Sequence, residues 1–135
     1  MVKHFIILTS FLFAATFAHS QNLKLTSANN GKVIQMKNNG KFTLTLNNKG
    51  DGGYSFEEPL FDSTVIRQVS HKHISATSGK GKNAQPMVGN FGKDVWVFKV
   101  IKAKSSTQLT INIQRPWMRG KEQPIIDFEA TIKTK

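Results

Sequence analysis

The feature that most constrains this chain is a period-two alternation of apolar and polar residues, repeated along its length. In "KFTLTL", Phe42, Leu44 and Leu46 fall on one side and Thr43 and Thr45 on the other. "TQLTINIQ" sets Leu109, Ile111 and Ile113 against Gln108, Thr110, Asn112 and Gln114. "IIDFEATIK" sets Ile126, Phe128, Ala130 and Ile132 against Asp127, Glu129, Thr131 and Lys133. Successive side chains of a strand point to opposite faces, so each stretch reads as a strand with one dry face. That is the pattern of an antiparallel sheet packed on one side.

"DVWVFKVI" is apolar on both faces, with Trp96, Phe98 and Val100 opposite Val95, Val97 and Ile101, and predicts a central strand covered on both sides. Further strands are predicted at "LKLT", "KVIQM", "YSFEE" and "TVIRQV", the last continuing into "HISAT". Turn-forming clusters separate them: "ANNG", "KNNG", "NNKGDGG", "SGKGKNAQP", "GNFG" and "RPWMRGKEQP". Strands at this spacing predict an all-β domain, an immunoglobulin-like antiparallel β-sandwich of about seven to nine strands.

The first twenty residues stand apart from this pattern. One lysine lies in Met1 to His4, Phe5 to Phe17 carry no charge, and Ala18-His19-Ser20 supplies small residues for cleavage. The apolar run would span about 20 Å as a helix, against roughly 30 Å of bilayer hydrocarbon. Residues 1–20 are therefore expected to be a cleaved export signal to periplasm or medium, leaving one domain over 21–135 and no membrane span. The chain has no cysteine, which excludes disulfides, thiol nucleophiles and lipid attachment behind the leader.

The formal charge is +11, or +10 once the leader's lysine is removed. The lysines are scattered rather than gathered in a block, as on solvent faces of strands, so no specific nucleic-acid site is expected. Catalysis has no visible apparatus. The acids form no motif, and the serines lack a nucleophile-elbow context. "GKGK" at 79–82 lacks the phosphate-loop pattern. His71 and His73 would share a strand face, but two ligands do not close a metal centre, and two surface histidines are the simpler expectation. No enzyme activity, cofactor or metal is predicted.

Three bends remain. "NNKGDGGYSF" holds three glycines before a tyrosine, "VGNFG" precedes the doubly apolar strand, and "RPWMRG" ends a strand with a cation, a proline and a tryptophan. Proline ends the ladder and stiffens the backbone there. Tryptophan and arginine are the side chains most often found as binding anchors. Taken alone, Trp117 capping the core and Arg115 pairing with a nearby acid would explain the last bend.

Together the three bends resemble the chagasin-type inhibitors of papain-like cysteine proteases, over nearly the whole chain after the leader. The resemblance runs through Gly40 to Leu46 as Gly-x-Phe-x-Leu-x-Leu, Gly53-Tyr54-Ser55-Phe56, Gly89 to Gly92 leading into Trp96-Val97-Phe98, and Arg115-Pro116-Trp117. It implies an immunoglobulin-like sandwich whose three neighbouring loops enter a protease cleft. Lys49-Gly50-Asp51-Gly52-Gly53 would lie across the catalytic cysteine and histidine. Gly89-Asn90-Phe91-Gly92 and Arg115 to Gly120 would grip either side, with Trp117 as anchor and Arg115 orienting it or meeting enzyme carbonyls.

Two loops depart from the family pattern. The usual Asn-Pro-Thr-Thr-Gly becomes Lys49 to Gly53, and Gly-x-Gly-Gly becomes Gly89 to Gly92 with Phe91 at the third position. The expected partner is a papain-like cysteine protease, met by a monomer. Two other classes fit parts of the sequence: a non-inhibitory immunoglobulin-like binding or adhesion domain, and electrostatic binding to nucleic acid or an anionic surface.

Overall fold

The computed structural model describes residues 22–78, 82, 85–86 and 91–135. The predicted leader, "GKGK" apart from Lys82, and Gly89 and Asn90 of the second bend lie outside the described residues. Among the described residues there is no α-helix, and so no helix long and apolar enough to cross a membrane.

Ten strands occur among the described residues: β1 (Asn22–Leu25), β2 (Val33–Met36), β3 (Lys41–Asn47), β4 (Ser55–Phe56), β5 (Ile66–Ile74), β6 (Thr77–Ser78), β7 (Gln85–Pro86), β8 (Lys93–Val100), β9 (Ser106–Gln114) and β10 (Ile125–Thr134). Eight of them form two four-stranded sheets, ordered β1-β3-β8-β5 and β2-β10-β9-β4, while β6 and β7 make a separate two-stranded ribbon. The expected sandwich is thus present, with its strand number. Its inner ladders β3–β8, β5–β8 and β9–β10 are antiparallel, but the edge strands β1 and β2 pair in parallel with β3 and β10. One short N-terminal segment thereby closes an edge of each sheet.

The core is built from the predicted dry faces. Phe42, Leu44 and Leu46 of β3 and Trp96, Phe98 and Val100 of β8 meet Leu109 and Ile111 of β9 and Phe128, Ala130 and Ile132 of β10, all buried. Phe42 stacks on Phe98 at 5.1 Å, and Phe56 from the second sheet meets Trp96 of the first edge-on at 5.1 Å. Such aromatic pairs add modest energy beyond their large buried area.

Three expectations need correction. First, β8 is central but not covered equally: Val95 is buried, Val97 half-buried, and Ile101 exposed beyond the strand end. Second, the register of β10 slips between Ile126 and Phe128. A bulge shifts the alternation by one residue, so Ile126 is exposed, while the Asp127 side chain is covered. Third, at the end of β9 the buried residue is Gln114, with Ile113 half-buried. Gln114 is accommodated because its Nε2 donates to the Glu122 carbonyl at 2.8 Å; a buried amide needs such a partner.

Candidate functional site

Strand register alone assembles the three bends. Asn47 pairs with Lys93, so the first bend leaves β3 beside the point where the second enters β8. Ser55 pairs with Gln114, so the first bend returns beside the start of the third. Ile113 opposite Ile125 closes the third bend at the same end of the sandwich.

Side chains then lock the bends to one another. Gly50 has φ of 47°, and a Cβ built on it would fall within the Phe91 ring. Gly53 has φ of 79°, and its Cβ would fall within the Trp117 indole. Both positions combine a left-handed backbone with a neighbour's ring where a side chain would stand, and only glycine meets both conditions. Phe91 and Gly50 are each among the positions at which the loops depart from the chagasin-type pattern, and they touch each other. The bulk gained in one loop fills the room left in the other.

The third bend is rigid by different means. Pro116–Met118 forms a single 3-10 turn with proline at its start, and the Met118 amide donates to the Arg115 carbonyl at 2.9 Å. The Arg115 guanidinium forks onto both carboxylate oxygens of Glu122 and lies over the Tyr54 ring, 5.6 Å from its centre. Arg119 pairs with Glu57 at 3.0 Å. The pairing of Arg115 with a nearby acid is therefore correct, and the capping of the core by Trp117 is not. The indole is 62% exposed at the tip of the bend, and Phe91 is 47% exposed.

In the first bend, the Lys49 ammonium meets the Asp127 carboxylate at 2.9 Å, tying the loop to the bulged start of β10. Gly52, with φ of 67°, lies beside Tyr54. Of the predicted site residues, Lys49, Gly50, Gly52, Gly53, Phe91, Gly92, Arg115, Pro116 and Trp117 are brought to one pole, as is the backbone of Asp51.

Sequence reasoning missed what lies beneath this pole. Asp94 shares the inward face of β8 with Trp96 and Phe98, and its side chain is only 7% exposed. His71 Nε2 and His73 Nδ1 each lie 2.7 Å from one of its oxygens. With the carboxylate ionised, both rings donate. His71 also stacks flat on Trp96 at 4.7 Å. Burial pushes the Asp94 carboxyl up, yet hydrogen bonds from His73, His71 and Asn48 outweigh it and hold the group below its ordinary value. The two histidines are exposed and share a strand face, as expected, and that face also closes over a buried acid that the sequence reading did not include. The signal was available, since a carboxylate in phase with "WVFKV" requires partners.

The comparisons with known proteins bear on this arrangement. The family described as chagasin family peptidase inhibitor I42 matches residues 35–132. The chain belongs to the chagasin family. The sequence resemblance is thus upheld, and the family is one of peptidase inhibitors rather than enzymes. Among solved structures, this chagasin-family chain is similar to the cysteine protease inhibitor EhICP2 from Entamoeba histolytica. That match has 14% identity and a TM-score of 0.62, covering 87% of this chain and 98% of the other. It is also similar to amebosin at 14% identity and a TM-score of 0.60, covering 86% of this chain and all of the other. At such identity these two likenesses establish the fold. No curated protein matches the sequence.

Proposed function

We propose that this chagasin-family protein is an exported, reversible, tight-binding inhibitor of papain-like cysteine proteases. It acts by seating 49–53, 89–92 and 115–120 together in the active-site cleft. The reading is carried by one observation: Phe91 packs on Gly50 and Trp117 on Gly53, so three loops share one preformed edge with an exposed indole at its tip.

Preformed loops lose little freedom on docking, so more of the contact energy emerges as affinity. Trp117 enters a pocket beside the catalytic groups as the anchor. Arg115, already engaged by Glu122 and Tyr54, holds that anchor at a fixed angle instead of searching for enzyme carbonyls. Lys49 to Gly53 lies across the catalytic cysteine and histidine. Substrate is excluded by occupancy, with no bond made or broken. Residues 1–20 deliver the protein to the periplasm or medium, where it works as a monomer.

The test is a titration of papain and a cathepsin-L-like enzyme with wild type and Trp117→Ala. Wild type is expected to inhibit at submicromolar concentration. Loss of a central aromatic anchor is expected to weaken inhibition by about 30-fold, which corresponds to about 2 kcal/mol. Wild type that leaves both enzymes untouched at micromolar concentration would overturn the reading.

A further inference from the structure

The Asp94 cluster sits directly under the first loop, and its hydrogen bonds lead into that loop one after another. Asp94 Oδ1 accepts from His73 at 2.7 Å and from Asn48 Nδ2 at 3.4 Å. The Asn48 amide donates to the Gly92 carbonyl at 2.9 Å, and the Asn48 side-chain oxygen accepts from the Gly50 amide at 3.0 Å. The Gly53 amide then donates to the Gly50 carbonyl at 3.2 Å. Asn48 is therefore a junction, with its backbone on the second loop, its amide nitrogen on the buried acid and its oxygen on the turn of the first loop. Gly92 is fixed from the other side, since a Cβ there would collide with the backbone of Ile74 and Ser75.

We propose that Asp94, held by His71 and His73, is the positioning residue of the first loop, acting through Asn48. The logic is one of direction. An asparagine side chain can present oxygen or nitrogen to either neighbour. A carboxylate beneath it accepts only, so it selects the nitrogen and turns the oxygen toward the Gly50 amide. The histidine pair keeps that carboxylate ionised and aimed, and it leaves the role of pure acceptor to Asp94. A loop with three glycines has little conformational preference of its own, so an external clamp of this kind sets its shape. The inference deepens the inhibitor reading and rests on it for its biological meaning, but not for its test.

That test is amide hydrogen exchange at Gly50 and Gly53 in wild type, Asp94→Asn, Asn48→Ala and the double variant, alongside papain inhibition. Asn48→Ala is expected to speed exchange at Gly50 at least tenfold. Asp94→Asn is expected to do the same while leaving Leu109, Ile111 and Ala130 at the wild-type rate. The double variant is expected to exchange no faster than Asn48→Ala alone, because both changes break one relay. Unchanged exchange at Gly50 in Asp94→Asn, or effects that multiply in the double variant, would overturn the proposal. Should Asp94→Asn lose protection throughout the sandwich, His73→Gln, on a half-exposed edge strand, carries the same expectation and the same refutation. Papain inhibition is expected to fall by about the same factor in Asp94→Asn as in Asn48→Ala. A wild type that does not inhibit sinks the inhibitor reading alone, and the exchange rates still decide this one.

Discussion

The first and third loops lie side by side at one pole yet are held in opposite ways. The third is rigid through its own side chains: a proline, a 3-10 turn and the Arg115–Glu122 fork all lie within ten residues. The first is rigid through side chains it lacks. Gly50 and Gly53 make room for Phe91 and Trp117, and Asn48 is aimed from below by Asp94. A loop that borrows its order is sensitive to changes in its neighbours, whereas one that contains its order is sensitive mainly to itself.

The sharpest way to break that contrast is to give the first loop a side chain. Gly50→Ala is expected to cost about 2 kcal/mol, from the left-handed backbone and the displaced Phe91 ring together. Inhibition of papain is expected to weaken more than tenfold. Phe91→Ala should restore part of the loss in the double variant, since only the steric half is relieved. Independent, additive effects in a denaturation and inhibition series would show that the two loops do not share their order. Glu122→Gln attacks the self-contained loop and is expected to cost about 1 kcal/mol, the size of one charge-assisted fork at a half-exposed site. Melting should shift accordingly, while exchange at Gly50 stays at the wild-type rate.

The smallest effect is one of pH. The folded Asp94 carboxyl titrates below its unfolded value, so the stability it adds is complete above about pH 4 and is lost as pH falls through the lower, folded value. Asp94→Asn should therefore flatten the acid limb of the stability curve and leave its neutral region parallel to wild type. An acid limb of unchanged slope would assign the acid sensitivity to other carboxylates, Asp62 among them, whose pKa is lowered by its hydrogen bonds from Thr64.

The sandwich was legible because its inner strands obey a single period: the dry face of "KFTLTL" is buried throughout, as are Trp96, Phe98 and Val100 on one face of "VWVFKV". Legibility failed where that period is interrupted. The bulge at Asp127 exposes Ile126 and hides the acid, and a bulge leaves no residue signature in "IIDFEA". The parallel pairing of β1 and β2 was also invisible, because direction at an edge depends on where the chain arrives rather than on alternation. At the pole, the sequence shows three glycines before a tyrosine but not what fills the space they leave. Two of them are room for this protein's own aromatic rings. Seeing this needs contacts across long sequence separations, which a linear pattern does not contain.

The two indoles of the chain fall in opposite surroundings, one sealed in the core against an imidazole and the other out at the pole. Intrinsic fluorescence therefore divides between two reporters. Trp96 emits from a dry site beneath the stacked His71 ring. Trp117 emits from water and shifts toward the blue when anything closes over the tip. Folding and docking can thus be followed at separate wavelengths in the unlabelled protein.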